Sequence, residues 1–171
     1  MILLTTSRRP TVTIRAFCRF LEKTIPGVVK ISRGKSSIGD LLDQALQLKA
    51  EKIAVIDRSK GGPSRIGCYV TKDGKMIPFA PTLYLGGMRI VKERLKTVTC
   101  VTFEDSISVE ARKSAEGLAI LFDLNVSTGQ LNLRTSPALH VSPYGIHGAK
   151  VSVATEKGPG KSFFVINRIV A

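Results

Sequence analysis

The 171 residues carry 26 Lys or Arg against 13 Asp or Glu, a formal charge of +13, with 43% apolar residues and no Trp. That apolar share builds a core for one large domain or two small ones and excludes a disordered chain, while no apolar run approaches the roughly 20 residues that cross a bilayer, so no membrane partner is expected. The charge points to a polyanion, and it is lopsided: residues 1–97 hold 19 Lys or Arg and 7 Asp or Glu, a net of +12, whereas residues 98–171 hold 7 and 6, a net of +1.

Residues 1–6 form a short apolar run that reads as a buried strand, entered without a charged leader or cleavage site, so the cytosol is the expected location. Ser7, Arg8 and Arg9 leave the sheet. Pro10 suits the neighbourhood of a first helical turn, with Thr11 or Ser7 as cap. Ile14, Phe17, Cys18, Leu21 and Ile25 then fall on one helical face. Arg15, Arg19 and Lys23 stand opposite, each four residues apart, and repel one another by a few tenths of a kcal/mol per pair. Taken alone, that stripe is a solvated face. Its setting is more telling, because Arg8 and Arg9 sit where helix-terminal N–H groups already favour anions, and Arg33 and Lys35 occupy the equivalent place before the next helix.

Residues 28–32 read as a second strand. Ser36 or Ser37 caps a second helix, with Asp40 in its first turn and Ile38, Leu41, Leu42, Ala45 and Leu46 as its apolar face. Residues 52–57 are a third strand, and the alternation with helices predicts a largely parallel arrangement. The segment 58–65, RSKGGPSR, reads as a glycine-rich loop in which Arg58, Lys60 and Arg65 line an anion-binding turn or simply face solvent. Residues 66–71 alternate as a strand, Asp73-Gly74 makes a hairpin turn, 76–85 returns as a Pro-broken edge strand, and Gly86-Gly87 marks a break before a short basic helix over 88–96. The second half restarts this order: a strand over 97–104, a helix capped by Ser106 or Ser108 and running to about Phe122, then strands near 138–142, 149–154 and 161–170. The expected fold class is therefore α/β, built as two similar halves with mixed sheets and flanking helices.

Tests for chemistry exclude more than they support. The segment GPGKS at 158–162 lacks the earlier glycine of a phosphate loop, since Thr155 stands there, and it precedes a strand pattern where a helix is required, so it reads as a hairpin loop. Cys18, Cys68 and Cys100 are far apart and read as core thiols; with only His140 and His147 besides, neither a metal nor a cofactor is expected. Either histidine is conceivable as a general base, but no nucleophile or acid stands at a suitable spacing.

At residues 5–15, TTSRRPTVTIR, and 32–42, SRGKSSIGDLL, the chain resembles the Brix-domain family of ribosome-assembly proteins, in particular its short archaeal members; residues 83–90, LYLGGMRI, agree more weakly. The resemblance implies a single Brix domain over 1–171, divided into a basic α/β half (1–97) and a near-neutral one (98–171), each similar to the anticodon-binding domain of some aminoacyl-tRNA synthetases. It also implies a non-catalytic ribosome-biogenesis factor that binds rRNA or precursor rRNA, alone or with assembly proteins. The family pattern carries over to Arg8, Arg9, Arg15, Arg19, Arg33 and Lys35. Lys60 and Arg65 are added from the charge of their loop. With few aromatic residues free to stack on bases, backbone and shape recognition is favoured. Two other readings stand beside it: an RNA- or nucleotide-modifying enzyme on a similar frame, using His140 or His147, and a protein-interaction module whose basic half docks on an acidic assembly factor.

Overall fold

The computed structural model describes residues 1–128 and 132–171. Ile2–Thr6 forms β1 with all five side chains buried. Helix α1 (Val12–Thr24) follows, and the Thr11 hydroxyl caps it by accepting from the Ile14 N–H. Its buried side is the expected one, widened by Phe20, with Ile25 just past its end. β2 (Val28–Lys30) and β3 (Lys52–Ser59) flank β1, both parallel to it, and α2 (Ile38–Gln47) connects them. The antiparallel strands β4 (Gly62–Lys72) and β5 (Lys75–Arg89) complete the first half.

The second half consists of β6 (Cys100–Thr102), α3 (Val109–Phe122), β7 (Asn125–Ser127), β8 (Ala138–Tyr144), β9 (Gly148–Thr155) and β10 (Gly158–Val170). All ten strands join one sheet in the order β2-β1-β3-β4-β5-β10-β9-β8-β6-β7. Outward from the antiparallel β5–β10 pair, each half presents the same pairings: two antiparallel neighbours, then two parallel ones. The protein is thus mixed α/β, with a large mixed sheet and three helices among the described residues.

The two-residue alternation of strands divides the core. Ile2, Leu4, Ala54 and Ile56 join α1, α3 and the inner side chains of β8–β10 in one large cluster, while Leu3, Ile53 and Val55 pack with Ala45 of α2 in a smaller one. Phe17 and Phe20 of α1 meet Phe164 of β10 with ring centroids 5.2 and 6.4 Å apart, so the first helix closes on the second half. Lys52, at the start of β3, donates to the Ile120 carbonyl (2.8 Å) and to Asp123 (2.5 Å) at the C-terminus of α3, a second link between halves.

Several local expectations give way to tertiary structure. β5 is central rather than an edge strand: its prolines, Pro78 and Pro81, lie before residues 82–89, the stretch that pairs with β10, so neither removes a bond from that ladder. Gly86-Gly87 does not end the strand, but it coincides with a register shift in that ladder, between the Met88–Phe164 and Leu85–Ile166 pairs. A Cβ on Gly86 would lie 2.2 Å from the Asn167 side chain, so glycine here leaves room for that amide. The basic helix over 88–96 does not form; β5 runs to Arg89, and residues 90–99 carry no regular element because they are tied to β10 and to the end of α1. The loop 58–65 collapses to a hairpin whose two central residues, Lys60 and Gly61, are both left-handed, at φ +49° and +83°. Residues 158–162 open β10 instead of forming a loop, and the strand expected over 97–104 shortens to β6. On α2, Leu41 and Ala45 are buried, but Ile38 and Leu46 are 62% and 52% exposed.

Candidate nucleic-acid interface

Because β1, β2 and β3 are parallel and in register, their carboxyl ends share one edge, the position at which open α/β sheets characteristically receive ligands. The first basic elbow leaves that edge at Ser7, whose N–H donates to the Ile56 carbonyl (2.9 Å). Arg8 and Arg9 follow, both exposed, and Arg9 adopts φ +56°, a conformation uncommon for a residue with a Cβ. Its carbonyl is held by Arg58, whose Nη1 donates across 3.0 Å, so the first elbow and the β3–β4 hairpin are joined through a cation.

The second elbow begins where the Ile31 N–H donates to the Leu4 carbonyl (2.9 Å). Gly34 supplies the left-handed residue (φ +54°) corresponding to Arg9, the half-buried Arg33 donates through Nε to the Ser36 carbonyl (3.4 Å), and Lys35 is exposed. Ser37 and Asp40 then form a reciprocal capping box, with 2.7 and 3.1 Å bonds between each side chain and the other's N–H. The Ser37 N–H, and after it the Ser37 hydroxyl, hold the Asp40 carboxyl below its ordinary 3.8.

Of the residues selected from the sequence, Arg8, Arg9, Arg33, Lys35 and Lys60 converge on this edge, and Arg15 and Arg19 continue from it along the exposed side of α1. Arg65 is placed differently. It binds Asp57 through Nε (2.8 Å) and Nη2, which raises its own pKa and leaves its charge largely offset by that carboxylate. Sequence reasoning noted Arg58 only as part of its loop, whereas its contact with Arg9 makes it a structural member of the edge. The sole acid among residues 1–35, Glu22, accepts from the Lys30 N–H (2.9 Å), so it serves the fold and does not cross the elbows.

The residues considered for catalysis do not gather. His140 lines a cavity of about 90 Å³ beside Glu104, Ser106 and Ser142, and His147 lies on a separate surface with Arg168 and Lys113. Burial pushes the Cys18 and Cys68 thiols up to about 11, making both poor nucleophiles at neutral pH.

These features define a class: a mixed α/β protein whose parallel strands end in a cation-lined edge. No protein-family model matches the chain. Over 93 residues, 54% of its length, it is 36% identical to a probable Brix domain-containing ribosomal biogenesis protein of Thermococcus kodakarensis, and over 91 residues, 53% of its length, 32% identical to one of Aeropyrum pernix. The matched segments span 44% and 51% of those relatives, so the likeness covers about half of each. In structure, the chain resembles the probable ribosomal biogenesis protein of Aeropyrum pernix (TM-score 0.77, 22% identity, 98% of this chain and 95% of that one). It is similarly close to Mil, an archaeal Imp4-like protein (TM-score 0.74, 22% identity, 100% and 99%). At that identity the structures show the shared fold. By sequence, then, the chain is similar over about half its length to archaeal Brix domain-containing ribosomal biogenesis proteins.

Proposed function

We propose that this protein is a ribosome-biogenesis factor that binds rRNA or its precursor through phosphates and assists processing or assembly without catalysis. The observation that carries this reading is the convergence of Arg8, Arg9, Arg33, Lys35 and Lys60 on one strand edge, in a half of the chain whose net charge is +12. Names borne by the archaeal relatives support the cellular process. The single Brix domain over 1–171, and the kinship of its two halves with an anticodon-binding domain, belong to the same proposal, supported by the repeated strand order. No helix among the described residues is long and apolar enough to cross a membrane; a cytoplasmic location is part of the proposal.

The test is equilibrium binding to precursor-rRNA fragments over a salt series, against random RNA and duplex DNA as competitors, for the wild type and for Arg8→Ala/Arg9→Ala/Arg33→Ala. Removing one phosphate-neutralising cation should reduce the slope of log K against log salt by about 0.7 to 0.9, so the triple variant should show a slope smaller by about 2 to 3. A slope unchanged in the variant refutes the elbow assignment. Equal wild-type affinity for every polyanion removes the rRNA reading. A second reading, an assembly-complex module, is favoured by the exposed Ile38, Leu46 and Leu48 around α2; competition between RNA and a protein partner would reveal it.

A further inference from the structure

Residues 90–96 connect the halves as an irregular strap, bent at Lys92, in which Ile90, Val91, Glu93 and Leu95 are half-buried and Lys92, Arg94 and Lys96 are exposed. A helix would have set Arg94 about 200° away from Lys92 and Lys96, dispersing the three charges.

The strap is held in that form by its one acid. The Glu93 carboxylate accepts from the N–H groups of Lys161 (3.0 Å) and Ser162 (2.7 Å), while the Val91 N–H donates to the Ser162 hydroxyl (3.1 Å). The segment GPGKS therefore does present backbone amides to an oxyanion, but that oxyanion is a side chain of the strap. Burial raises the Glu93 pKa, yet hydrogen bonds from Ser162 and the Lys161 amide outweigh it and the net shift is downward.

A groove lies on each side of the strap. One, of about 330 Å³, runs against α1 and gathers Lys92 with Arg19 and Lys23 of the helix stripe; its floor includes Ile90 and Leu95. The other, of about 300 Å³, runs against the β9–β10 turn and gathers Arg94 and Lys96 with Lys157 and Lys161. The two linings thus hold seven cations and one acid, Glu93, whose carboxylate is already bound to the β10 amides.

We propose that this strap and its two grooves form a second contact surface for RNA backbone, continuous with the first elbow through the Arg15–Arg19 stripe of α1, with Glu93 as the residue that positions it. The proposal rests on the RNA-binding reading above and extends it to residues outside both elbows. RNA fits the surface better than an acidic peptide because its cations continue those of the α1 stripe that leads from the first elbow, and because the apolar floor suits ribose and base faces.

Two variants, assayed with a single-stranded fragment of precursor rRNA over a salt series, test the idea. Lys92→Ala/Arg94→Ala/Lys96→Ala should lower the salt slope by about 2, at roughly 0.7 per phosphate on a single strand. Glu93→Ala separates a built surface from a general field: removing a negative charge strengthens binding if only net charge matters, whereas releasing the strap weakens it. Reduced slope in the first variant and weaker binding in the second establish the surface. A wild-type slope in the strap variant, or tighter binding by Glu93→Ala, overturns it, and if the slope still falls in Arg8→Ala/Arg9→Ala/Arg33→Ala the elbow reading survives alone. Absence of RNA binding by the wild type overturns both, and binding of an acidic protein abolished by the same strap variant, with RNA binding intact, assigns the grooves to a protein.

Discussion

Lys52 shows how much of a charge's effect depends on its surroundings. Its side chain is only 12% exposed, it lies 5.0 Å from the Phe79 ring centroid, and it donates both to Asp123 and to the Ile120 carbonyl at the end of α3. An exposed ion pair contributes almost nothing, but a shielded cation on the carbonyls of a helix C-terminus is worth about 0.3 to 2 kcal/mol. Lys52→Met, which keeps the length and drops the charge, should therefore lower stability by about 1 kcal/mol in chemical denaturation. A midpoint equal to that of the wild type would show that the interaction carries no net stabilisation. Arg65 illustrates the converse: its position beside the hairpin matches the expectation, yet Asp57 takes up its charge. Nothing in the spacing of residues 57 and 65 distinguishes a paired arginine from a free one until strand register sets them opposite each other.

At the scale of elements, α1 and α3 were legible because a 3.6-residue apolar period, a capping hydroxyl and a sufficient length coincide in each. Helix α2 depends more on its cap. With Ile38 and Leu46 exposed, only Leu41 and Ala45 are fully buried, so the Ser37–Asp40 box carries a larger share of its stability. Ser37→Ala should cost about 1 kcal/mol. The depressed pKa of Asp40 means that its contribution is complete above 3.8, the ordinary value, and disappears as pH falls through the lower, folded-state value. Protection of the first-turn amides of α2, taken relative to their intrinsic exchange at each pH, should accordingly fall below pH 3.8 in the wild type, whereas in Asp40→Asn it should be low already at neutral pH. Equal protection in the two proteins at neutral pH would remove the cap from this role. The 88–96 segment escaped sequence reasoning because Met, Arg, Lys and Leu are good helix formers. Its conformation is decided by Glu93 reaching amides 68 and 69 residues away.

Across the whole molecule, acids and bases have different duties. Glu22, Asp40 and Glu93 bind backbone N–H groups and Asp57 binds Arg65, so four of the seven acids in residues 1–97 are committed to the fold, while the elbows, the helix stripe and the strap present exposed cations. The strand order also makes the two halves one cooperative unit: β5 and β10 pair at the centre of the sheet, and Phe17 packs edge-on against Phe164 at 5.2 Å. Phe17→Ala should cost about 3 to 5 kcal/mol and, because its cavity opens between the halves, should lower the unfolding midpoint of both together. Two separate transitions, with only the first half affected, would contradict a shared core.

The order and type of most elements, the burial of Ile14, Phe17, Cys18 and Leu21, the place of the two elbows, and the concentration of positive charge before residue 98 are legible in the residues alone, because periodicity, caps and charge are local or additive properties. That the halves share a sheet through β5 and β10, that Arg58 secures the first elbow, that Arg65 is paired, and that Lys92, Arg94 and Lys96 are exposed along a strap tied to β10 follows from the folded arrangement alone. Those outcomes depend on which residues distant in the chain supply hydrogen-bond partners and opposing charges, and the sheet order, rather than any local propensity, brings those partners together.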